Sequence, residues 1–600
     1  MNKTIKKTCS IFVVILTLVF LASPTNIQAK ESDFEIVDGV LIKYHGESET
    51  VNIPDGVKKI GDRAFNHTLI ESITIPESVK EIGDSVFYFC WGLKSIAIPK
   101  NVIAIGNDAF VGCTDLENIE VDEGNQNFKS IDGILFNKSK TKIICYPTGK
   151  DRIEYTIPSG VETIGTEAFR NFNLISITIP DTVIAIEIKA IDYCNSLTEI
   201  NISKSVKTID SMAIFQCYKL KKISVNSENK NFLSKDGILF NKNMTEIICY
   251  PIGKTNKNYS IPKSVKAIGD AAFYECFNLT SINIPESVRT IGKMAFMGCN
   301  NIDIITLPKS ITAIGEKAFR QCYSLKSIAI PDGVINIYDE AFYNCDNLTN
   351  VTIPYSVTKI GKSVFSYCPK LTSITVNTSN NYYISKDGVL FNKDMTEIIC
   401  YPPSKKNIDY VIPSGVKTVI SEAFALSSNL TSITIPEGVT IIGKSAFYDC
   451  HNLTSIKIPE GITTIDDETF RYCFNLSEVN IPNSLSTIGQ YAFFQCKLTS
   501  VSIPSNVKTI GEGAFEWCSN LSDVNIPNGI TVIGEYAFFN CELTSVTIPG
   551  SVKEIGYKAF GYISTDDFHL IIPNFKIYGV IDSAANKYAK DNNITFVEVK

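Results

Sequence analysis

The chain has 600 residues, of which 44% are hydrophobic and 20% charged, and its formal net charge is −7. This composition is ordinary for a folded protein and excludes a disordered chain. The acidic balance argues against nucleic acid or an anionic membrane surface as a partner.

Residues 1–29 have the pattern of a secretory signal peptide. Three lysines precede an apolar run from Cys9 to Ala22, and the small residue Ala29 follows a break at Pro24. The apolar run is short for a membrane span. We therefore expect export with cleavage after Ala29 and no membrane insertion of the mature chain. An uncleaved N-terminal anchor is the alternative.

Residues 53–573 repeat one phrase with a period of 22 or 23 residues. The phrase L-x-S-I-x-I-P-x-x-V-x-x-I-G-x-x-A-F-x-x-C recurs about 18 times, with three jumps of 59 residues. A fixed period of this size is the sequence signature of a solenoid. In LTSIKIP, Ile456 and Ile458 alternate with Ser455 and Lys457, as expected for a strand buried on one side, and Pro459 ends the strand. Each coil is predicted to contain two short strands and a corner at A-F.

Like residues of successive coils should stack on one another in such a solenoid. Phenylalanine occupies the corner in 16 of 18 coils, and Ile191 and Ile214 occupy it in the other two. The glycine before the corner is less constant, and Ile420 stands there in one coil. An isoleucine argues against an obligatory left-handed backbone at that slot.

Three insertions and two ends depart from the repeat. The insertions lie near 122–157, 226–261 and 377–412, and each contains two apolar runs that predict a β-hairpin. A degenerate fourth copy of the insertion sequence at 34–54 predicts a hairpin-like N-terminal cap over residues 30–52. Residues 574–600 predict a C-terminal cap of one helix and one strand. The Asp-Gly pairs of the insertions are interpreted as turns, because only the first copy offers several carboxylates for calcium.

The phrase LTSITIPEGVTIIGKSAFYDC resembles the BspA-like class of leucine-rich repeats. The resemblance covers roughly residues 50–573 and is specific, because I-x-I-P, I-G and A-F-x-x-C recur together at the same period. It implies a right-handed solenoid in secreted or surface-displayed microbial proteins, often linked to adhesion. It carries over no catalytic residues.

Fourteen of the 18 cysteines share one slot, three residues after the corner, and three more lie in the insertion phrase IICYP. Side chains stacked in one column point the same way, whereas a disulfide needs Cβ vectors that face each other. We interpret these cysteines as buried thiols that pack as small hydrophobes. Disulfides and a metal site are the alternatives.

The sequence contains no pattern that indicates catalysis, a cofactor or a metal. Its four histidines, His45, His67, His451 and His569, are far apart along the repeat, so no histidine triad is expected within the solenoid. Acidic neighbours such as Asp466 and Asp467 are expected to form a solvated edge rather than a pair facing across a cleft. The chain is therefore not expected to be an enzyme.

Aromatic residues recur beside the corner and the cysteine slot, and exposed aromatic rows often mark interfaces. The candidate binding edge consists of Tyr88, Trp91, Tyr218, Phe277, Tyr323 and Phe474. Packing between neighbouring coils is the alternative for these residues. The first functional hypothesis is an exported or cell-surface scaffold that binds a host or microbial protein or glycan in adhesion. The second is a structural spacer or self-associating surface element without a specific ligand.

Overall fold

The computed structural model describes residues 29–564 and 569–599. The signal-peptide prediction concerns residues 1–29, nearly all of which lie outside the described residues. The chain divides into two compact units. Unit 1 runs to Asn243 and includes Cys249–Lys254, and unit 2 comprises Met244–Ile248 and continues from Thr255.

Unit 1 consists of stacked coils with a first strand in the I-x-I stretch and a second strand that ends at the isoleucine of I-G. Its first strands are Thr50–Asn52, Ser72–Thr74, Ser95–Ile98, Asn118–Val121, Glu154–Thr156, Ser176–Thr178, Glu199–Ile202 and Lys222–Val225. Its second strands are Lys59–Ile60, Glu81–Ile82, Ala104–Ile105, Thr163–Ile164, Ala185–Ile186 and Thr208–Ile209. Three coils add a corner strand, at Phe169–Arg170, Ile191–Asp192 and Ile214–Phe215.

Unit 2 repeats the same arrangement. Its first strands are Asn258–Ser260, Ser281–Asn283, Ser327–Ala329, Asn350–Ile353, Ser373–Val376, Asp409–Val411, Ser432–Thr434, Ser455–Lys457, Glu478–Asn480, Ser500–Ser502, Asp523–Asn525 and Ser545–Thr547. Its second strands are Ala267–Ile268, Thr290–Ile291, Ala313–Ile314, Asn336–Ile337, Lys359–Ile360, Thr418–Val419, Ile441–Ile442, Thr464–Ile465, Thr487–Ile488, Thr509–Ile510, Val532–Ile533 and Glu554–Ile555.

Successive coils pair in parallel, and each residue lies beside its counterpart one repeat later. Ile456 is paired with Ile433 on one side and with Val479 on the other. In the second strands, Ile488 is paired with Ile465 and Ile510. The buried isoleucines therefore form ladders inside the coils, within each of several separate sheets. The predicted solenoid of stacked coils is confirmed.

Each insertion is more than the hairpin that two apolar runs suggest. The first contains three strands, Phe128–Ile131, Ile134–Asn137 and Lys142–Cys145. The first two pair antiparallel, but the third also pairs in parallel with Thr163–Ile164 of the next coil. The third insertion repeats this pattern with Tyr383–Lys386, Val389–Asn392 and Glu397–Cys400. The strands of the second are Phe232–Lys235, Ile238–Asn241 and Glu246–Cys249.

The N-terminal segment resembles the insertions but has two strands instead of three. Its strands Phe34–Val37 and Val40–Tyr44 form a hairpin, preceded by a short 3₁₀ turn at Glu31–Asp33, and the second strand pairs in parallel with Lys59–Ile60. Asp38 and Gly39 have φ of 52° and 80° at the turn, and Asp132 and Gly133 have 54° and 71°. Positive φ at both central residues is the geometry that Asp-Gly favours in a two-residue hairpin, so the Asp-Gly pairs serve as turns.

The corner phenylalanines form columns of stacked rings. In unit 2, Phe296 and Phe342 lie on either side of Phe319, and both centroid distances are 5.3 Å, with interplanar angles of 5° and 1°. Near-parallel rings at this separation are offset rather than directly face to face, which is the favourable arrangement. After an insertion, a tyrosine takes the place in front of the first phenylalanine: Tyr401 stacks on Phe424 at 5.1 Å.

All 17 cysteines of the described residues are free thiols. Those of the column are buried, as predicted, whereas Cys145 and Cys249 of the insertions are only half-buried. The column thiols also donate hydrogen bonds. The Sγ of Cys322 donates to the carbonyl oxygen of Phe296 in the preceding coil at 3.2 Å, and the Sγ of Cys345 does the same to Phe319 at 3.2 Å. The thiol is therefore both a core residue and a link between coils.

The corners are built from overlapping turns, as at Phe319, where the amides of Ala318, Arg320 and Cys322 each donate to the carbonyl oxygen three residues earlier. Around Phe319, Lys317 and Gln321 have φ of 57° and 60°, and this pair of left-handed residues recurs at the other corners. The amides of Phe319 and Gln321 donate to carbonyl oxygens of the next coil at 2.8 and 2.9 Å. Where the I-G slot holds glycine, it serves close packing of the coils: a Cβ on Gly315 would lie 2.5 Å from the backbone of Gly292 in the preceding coil. Other residues, such as Ile420, occupy the slot elsewhere.

The C-terminal segment continues the first-strand ladder and then covers its end. Lys576–Gly579 pairs in parallel with Ser545–Thr547 and with Thr595–Glu598. Between these strands lies the helix Ala584–Asp591, and the hydroxyl of its Tyr588 bonds to the backbone of Phe560 at 3.0 Å. Two further strands, Tyr562–Ser564 and His569–Ile571, pair antiparallel. Within the part of the chain that the structure describes, no helix has the length and apolar character needed to cross a membrane.

Candidate binding edge

The edge is formed by the corner turns and the loops that follow the cysteine column. Of the six predicted residues, Trp91, Phe277 and Phe474 are 45%, 36% and 47% exposed. Tyr88, Tyr218 and Tyr323 are half-buried. The six residues are divided between the two units. Tyr88, Trp91 and Tyr218 belong to unit 1, and the other three belong to unit 2.

Two of the predicted residues lie in an aromatic cluster of unit 1. The ring of Phe89 is 4.5 Å from Tyr88, 6.0 Å from Trp91 and 5.4 Å from His67. The edge prediction included neither Phe89 nor His67. Both could have been predicted from the sequence, because each lies two residues after a corner phenylalanine, in neighbouring coils. Stacking over equivalent slots brings them together.

The aromatic cluster of unit 2 surrounds an arginine that the prediction missed. The guanidinium of Arg471 lies 4.9 Å from the ring centroids of Tyr472 and Phe494 and 5.1 Å from that of Tyr491. Its Nη1 is 3.1 Å from Glu468. Cation–π contacts of this kind hold aromatic rings in place at a surface. No sequence signal marks Arg471, because its ring partners come from two different coils.

Beside this cluster the edge contains a notch of about 400 Å³. The notch is lined by Phe474, Asn475, Gln495, Cys496, Lys497, Trp517, Ser519 and Asn520. Its floor belongs to a coil of 22 residues, which lacks one residue in the loop after Cys496. The longer loops of the coils on either side therefore form walls. Trp517, which is 36% exposed and was not predicted, faces the same notch as Phe474.

One acidic side chain near the notch has an altered pKa. Burial raises the pKa of Glu516 to about 7, against the lowering effect of Arg471. This carboxylate is a half-buried neighbour of the arginine cluster, and the nearby carboxylate of Glu512 also raises its pKa. Among the described residues, no group of three or more His, Cys, Asp or Glu side chains could hold a metal ion.

The four histidines have separate surroundings. His45 pairs with Glu35 at 3.1 Å and His451 with Asp449 at 3.3 Å. His569 lies 3.0 Å from the Nζ of Lys558, and His67 belongs to the aromatic cluster of unit 1. Each histidine is accounted for by local contacts.

The outward face of the first strands is the other broad surface. Its small polar side chains bond from coil to coil: the hydroxyl of Ser281 donates to Asn258 at 2.6 Å, and that of Ser432 donates to Asp409 at 2.5 Å. These groups already serve coil stacking. The aromatic edge is therefore the better candidate for binding.

Comparison with known proteins identifies the family of the repeat. A family model described as the BspA type leucine rich repeat region matches residues 42–157, 153–250, 266–394, 400–521 and 440–566. Among solved structures, the chain is similar to a leucine rich cell surface protein from Faecalibacterium prausnitzii A2-165, with 28% identity, 66% of this chain and 94% of that chain covered, and a TM-score of 0.45.

Two further solved structures are similar. One is the pneumococcal vaccine antigen PcpA, with 21% identity, 79% of this chain and 96% of that chain covered, and a TM-score of 0.42. The other is a leucine-rich repeat protein from Bacteroides ovatus ATCC 8483, with 25% identity, 72% and 97% covered, and a TM-score of 0.30. A search of curated proteins gives no match.

Proposed function

Because the chain belongs to the BspA-type leucine-rich repeat family, we propose that it is a non-enzymatic, exported scaffold of the cell surface. It binds a protein or a glycan through the corner edge, in adhesion to host or neighbouring cells. Its N-terminal sequence pattern supports export.

The composition of the edge supports binding rather than chemistry. Exposed aromatic rings combine apolar contact area with low conformational entropy, which makes them effective anchors at interfaces. Repetition of similar loops along the coils allows several weak contacts to act together, and the second contact gains from the first through its high local concentration.

The notch is the single observation that carries the proposal. Phe474 and Trp517 supply two exposed rings within one cleft. Asn475, Gln495 and Asn520 supply amide groups that both donate and accept hydrogen bonds. Aromatic surface next to such amides suits a ligand with an apolar face and polar edges, which describes both a sugar ring and a peptide side chain.

The test is binding of the purified chain to arrays of matrix proteins and surface glycans. The double variant Phe474→Ala, Trp517→Ala should lower the affinity for the best ligand by about tenfold or more, because buried aromatic anchors dominate interface energies. The matched control is Tyr355→Ala, Tyr382→Ala, which removes two other exposed tyrosines of unit 2 that lie outside the notch. The control should bind as the unaltered chain does.

Two results would contradict binding through the corner edge. An array without any ligand, together with light scattering that shows concentration-dependent association, would contradict a binding scaffold and favour the self-associating spacer. Equal loss of affinity in both double variants would place the binding surface elsewhere. Export is checked separately by the mass of the extracellular protein, which should begin after Ala29.

A further inference from the structure

The N-terminal hairpin lacks one strand that each insertion has. Its second strand, Val40–Tyr44, pairs in parallel with the next coil, as the third strand of the first insertion, Lys142–Cys145, does. Its first strand, Phe34–Val37, pairs antiparallel with Val40–Tyr44 and so takes the place of the insertion's second strand, Ile134–Asn137. Within residues 29–564 and 569–599, no strand of the N-terminal hairpin takes the place of the insertion's first strand, Phe128–Ile131.

The registers of the two segments show which residues correspond. In the N-terminal hairpin the register shifts between Glu35 and Ile36, and in the first insertion it shifts between Leu135 and Phe136. Ile36 therefore corresponds to Phe136. Phe136 is fully buried, whereas Ile36 is 39% exposed and its neighbour Val37 is 53% exposed. Without a further strand, these apolar side chains of the N-terminal hairpin stay uncovered.

The backbone of Phe34–Val37 is open on the same side. This strand is the outermost of its five-stranded sheet and pairs with Val40–Tyr44 on one side; no strand of the described ranges pairs with its other side. Alternate residues of an edge strand direct N–H and C=O groups outward, where they can pair with another chain. The edge is therefore able to accept one more strand.

The charge around this edge favours a basic strand. Residues 30–39 contain one lysine and four carboxylates, those of Glu31, Asp33, Glu35 and Asp38. The strands that cover the equivalent edge in the three insertions read FKSI, FLSK and YISK, and each contains one lysine and no acidic residue. Pairing of two copies of the acidic strand would bring like charges together, which disfavours a second copy of this chain as the occupant.

We propose that the edge of Phe34–Val37 binds an extended, basic strand of a partner protein that carries an aromatic residue. The partner strand runs antiparallel to Phe34–Val37, as Phe128–Ile131 runs antiparallel to Ile134–Asn137 in the first insertion. Its backbone supplies the affinity through hydrogen bonds, and its side chains supply the selectivity. In the first insertion, the aromatic residue is paired with the position that corresponds to Val37, so the partner's aromatic ring lies beside that side chain.

The experiment is isothermal titration of the exported chain with the end-blocked peptide NQNFKSI, which has the sequence of residues 125–131. It is made at about pH 8, because Glu35 contacts His45 and histidine is ordinarily uncharged there. We expect saturable binding. A peptide with N-methyl groups on both the lysine and the serine amides should not bind, because it lacks N–H donors towards either edge. The peptide NQNFESI should bind several-fold more weakly.

Three variants of the chain locate the binding. Ile36→Lys should weaken NQNFKSI about tenfold, because it removes apolar contact and adds a like charge. Glu35→Lys should weaken NQNFKSI several-fold and strengthen NQNFESI, since the charges are then exchanged. The matched control is Ile153→Lys, at another exposed isoleucine of unit 1, and it should bind as the unaltered chain does. Thermal melts of the variants should coincide, which separates loss of binding from loss of folding.

Four results would overturn the proposal. They are no saturable heat up to about 1 mM peptide, equal binding of the N-methylated peptide, unchanged binding in Ile36→Lys, and a dimer of the chain in size-exclusion chromatography that Ile36→Lys abolishes. The last result would show that a second copy covers this edge. Binding through the corner edge is tested with different variants, so failure of one proposal does not decide the other.

Discussion

A thiol lies beside the same carbonyl oxygen in coil after coil. The position of these cysteines in the repeat predicts small apolar side chains. The thiols also donate hydrogen bonds, because stacking brings the Sγ close to the corner carbonyl oxygen of the preceding coil, as Cys322 shows with Phe296. The bond could not be predicted from the sequence, since it depends on the offset between two coils. The burial of the thiols and their shared direction could be predicted from the sequence, because both follow from the repeat position.

The thiols should be protected in the folded chain and reactive in the unfolded chain. Alkylation requires the thiolate, and burial raises the pKa of Cys322 to about 12. We expect few alkyl groups per native molecule, and close to all 17 thiols labelled after denaturation without reductant. Mass spectrometry of both samples measures this. Near-zero labelling of the denatured chain would show that the cysteines are oxidised.

Glu516 should make stability depend on pH. Its pKa is raised from 4.5 to about 7 by burial, so the folded state holds this proton more tightly than the unfolded state. Between pH 4.5 and about 7, Glu516 is therefore largely ionised in the unfolded chain but still largely protonated in the folded chain. Stability contributed by protonated Glu516 is therefore fully present below about pH 4 and is lost as the pH rises towards 7.

Glu516→Gln should remove this loss. At pH 8 the variant should be more stable than the unaltered chain, by about 1–3 kcal/mol, and the difference should shrink towards pH 4. Urea unfolding at several pH values measures the difference. Asp523→Asn, at an exposed strand position, is the control and should show no comparable gain. A gain in Glu516→Gln that did not vary with pH would contradict the assignment.

The corner turn is the element that sequence reasoning described least well. The period located the corner, and the strands before it were confirmed with their buried and exposed sides. The left-handed positions were not located, because residues such as Lys317 and Tyr472 occupy them. Left-handed backbone is normally signalled by Gly or Asn. Here backbone bonds between coils impose it, so local propensity gives no signal.

This origin of the turn can be tested at Gln321. Its φ is 60° and its amide donates to Tyr343 of the next coil. Gln321→Gly should be tolerated, because glycine adopts this conformation freely, whereas Gln321→Val should cost about 1–2 kcal/mol or more. Amide hydrogen exchange in the coils of Phe319 and Phe342 measures the local effect. Ser327→Val, at an exposed strand position, is the control and should be nearly neutral.

The insertions show how far sequence reasoning could go at the scale of whole segments. The amino-acid sequence shows that the insertions resemble one another and the N-terminal segment. Their role could not be predicted from the sequence, because the decisive feature is a third strand that joins the coil ladder. Tyr44 and Tyr401 both donate their amide to an alanine carbonyl of the next coil, at 2.9 and 2.8 Å. Both rings also contact the first phenylalanine of a column, Tyr44 in a tilted arrangement at 5.3 Å and Tyr401 in a stacked one at 5.1 Å. Each insertion is thus a second starting point for coil stacking.

The third insertion should therefore act as a cap when it is placed at an N-terminus. A fragment of residues 377–600 begins with this insertion, and a fragment of residues 406–600 begins with a bare coil that keeps its first strand, Asp409–Val411. In the shorter fragment, Phe424 and the strand Thr418–Val419 lose their covering partners, which exposes a column end and an unpaired edge. We expect the longer fragment to be monomeric and to unfold cooperatively, and the shorter to aggregate or to melt at a lower temperature. Size-exclusion chromatography and thermal circular dichroism measure both. If both fragments were monomeric and melted at the same temperature, the insertion would not be needed to cap the stack of coils.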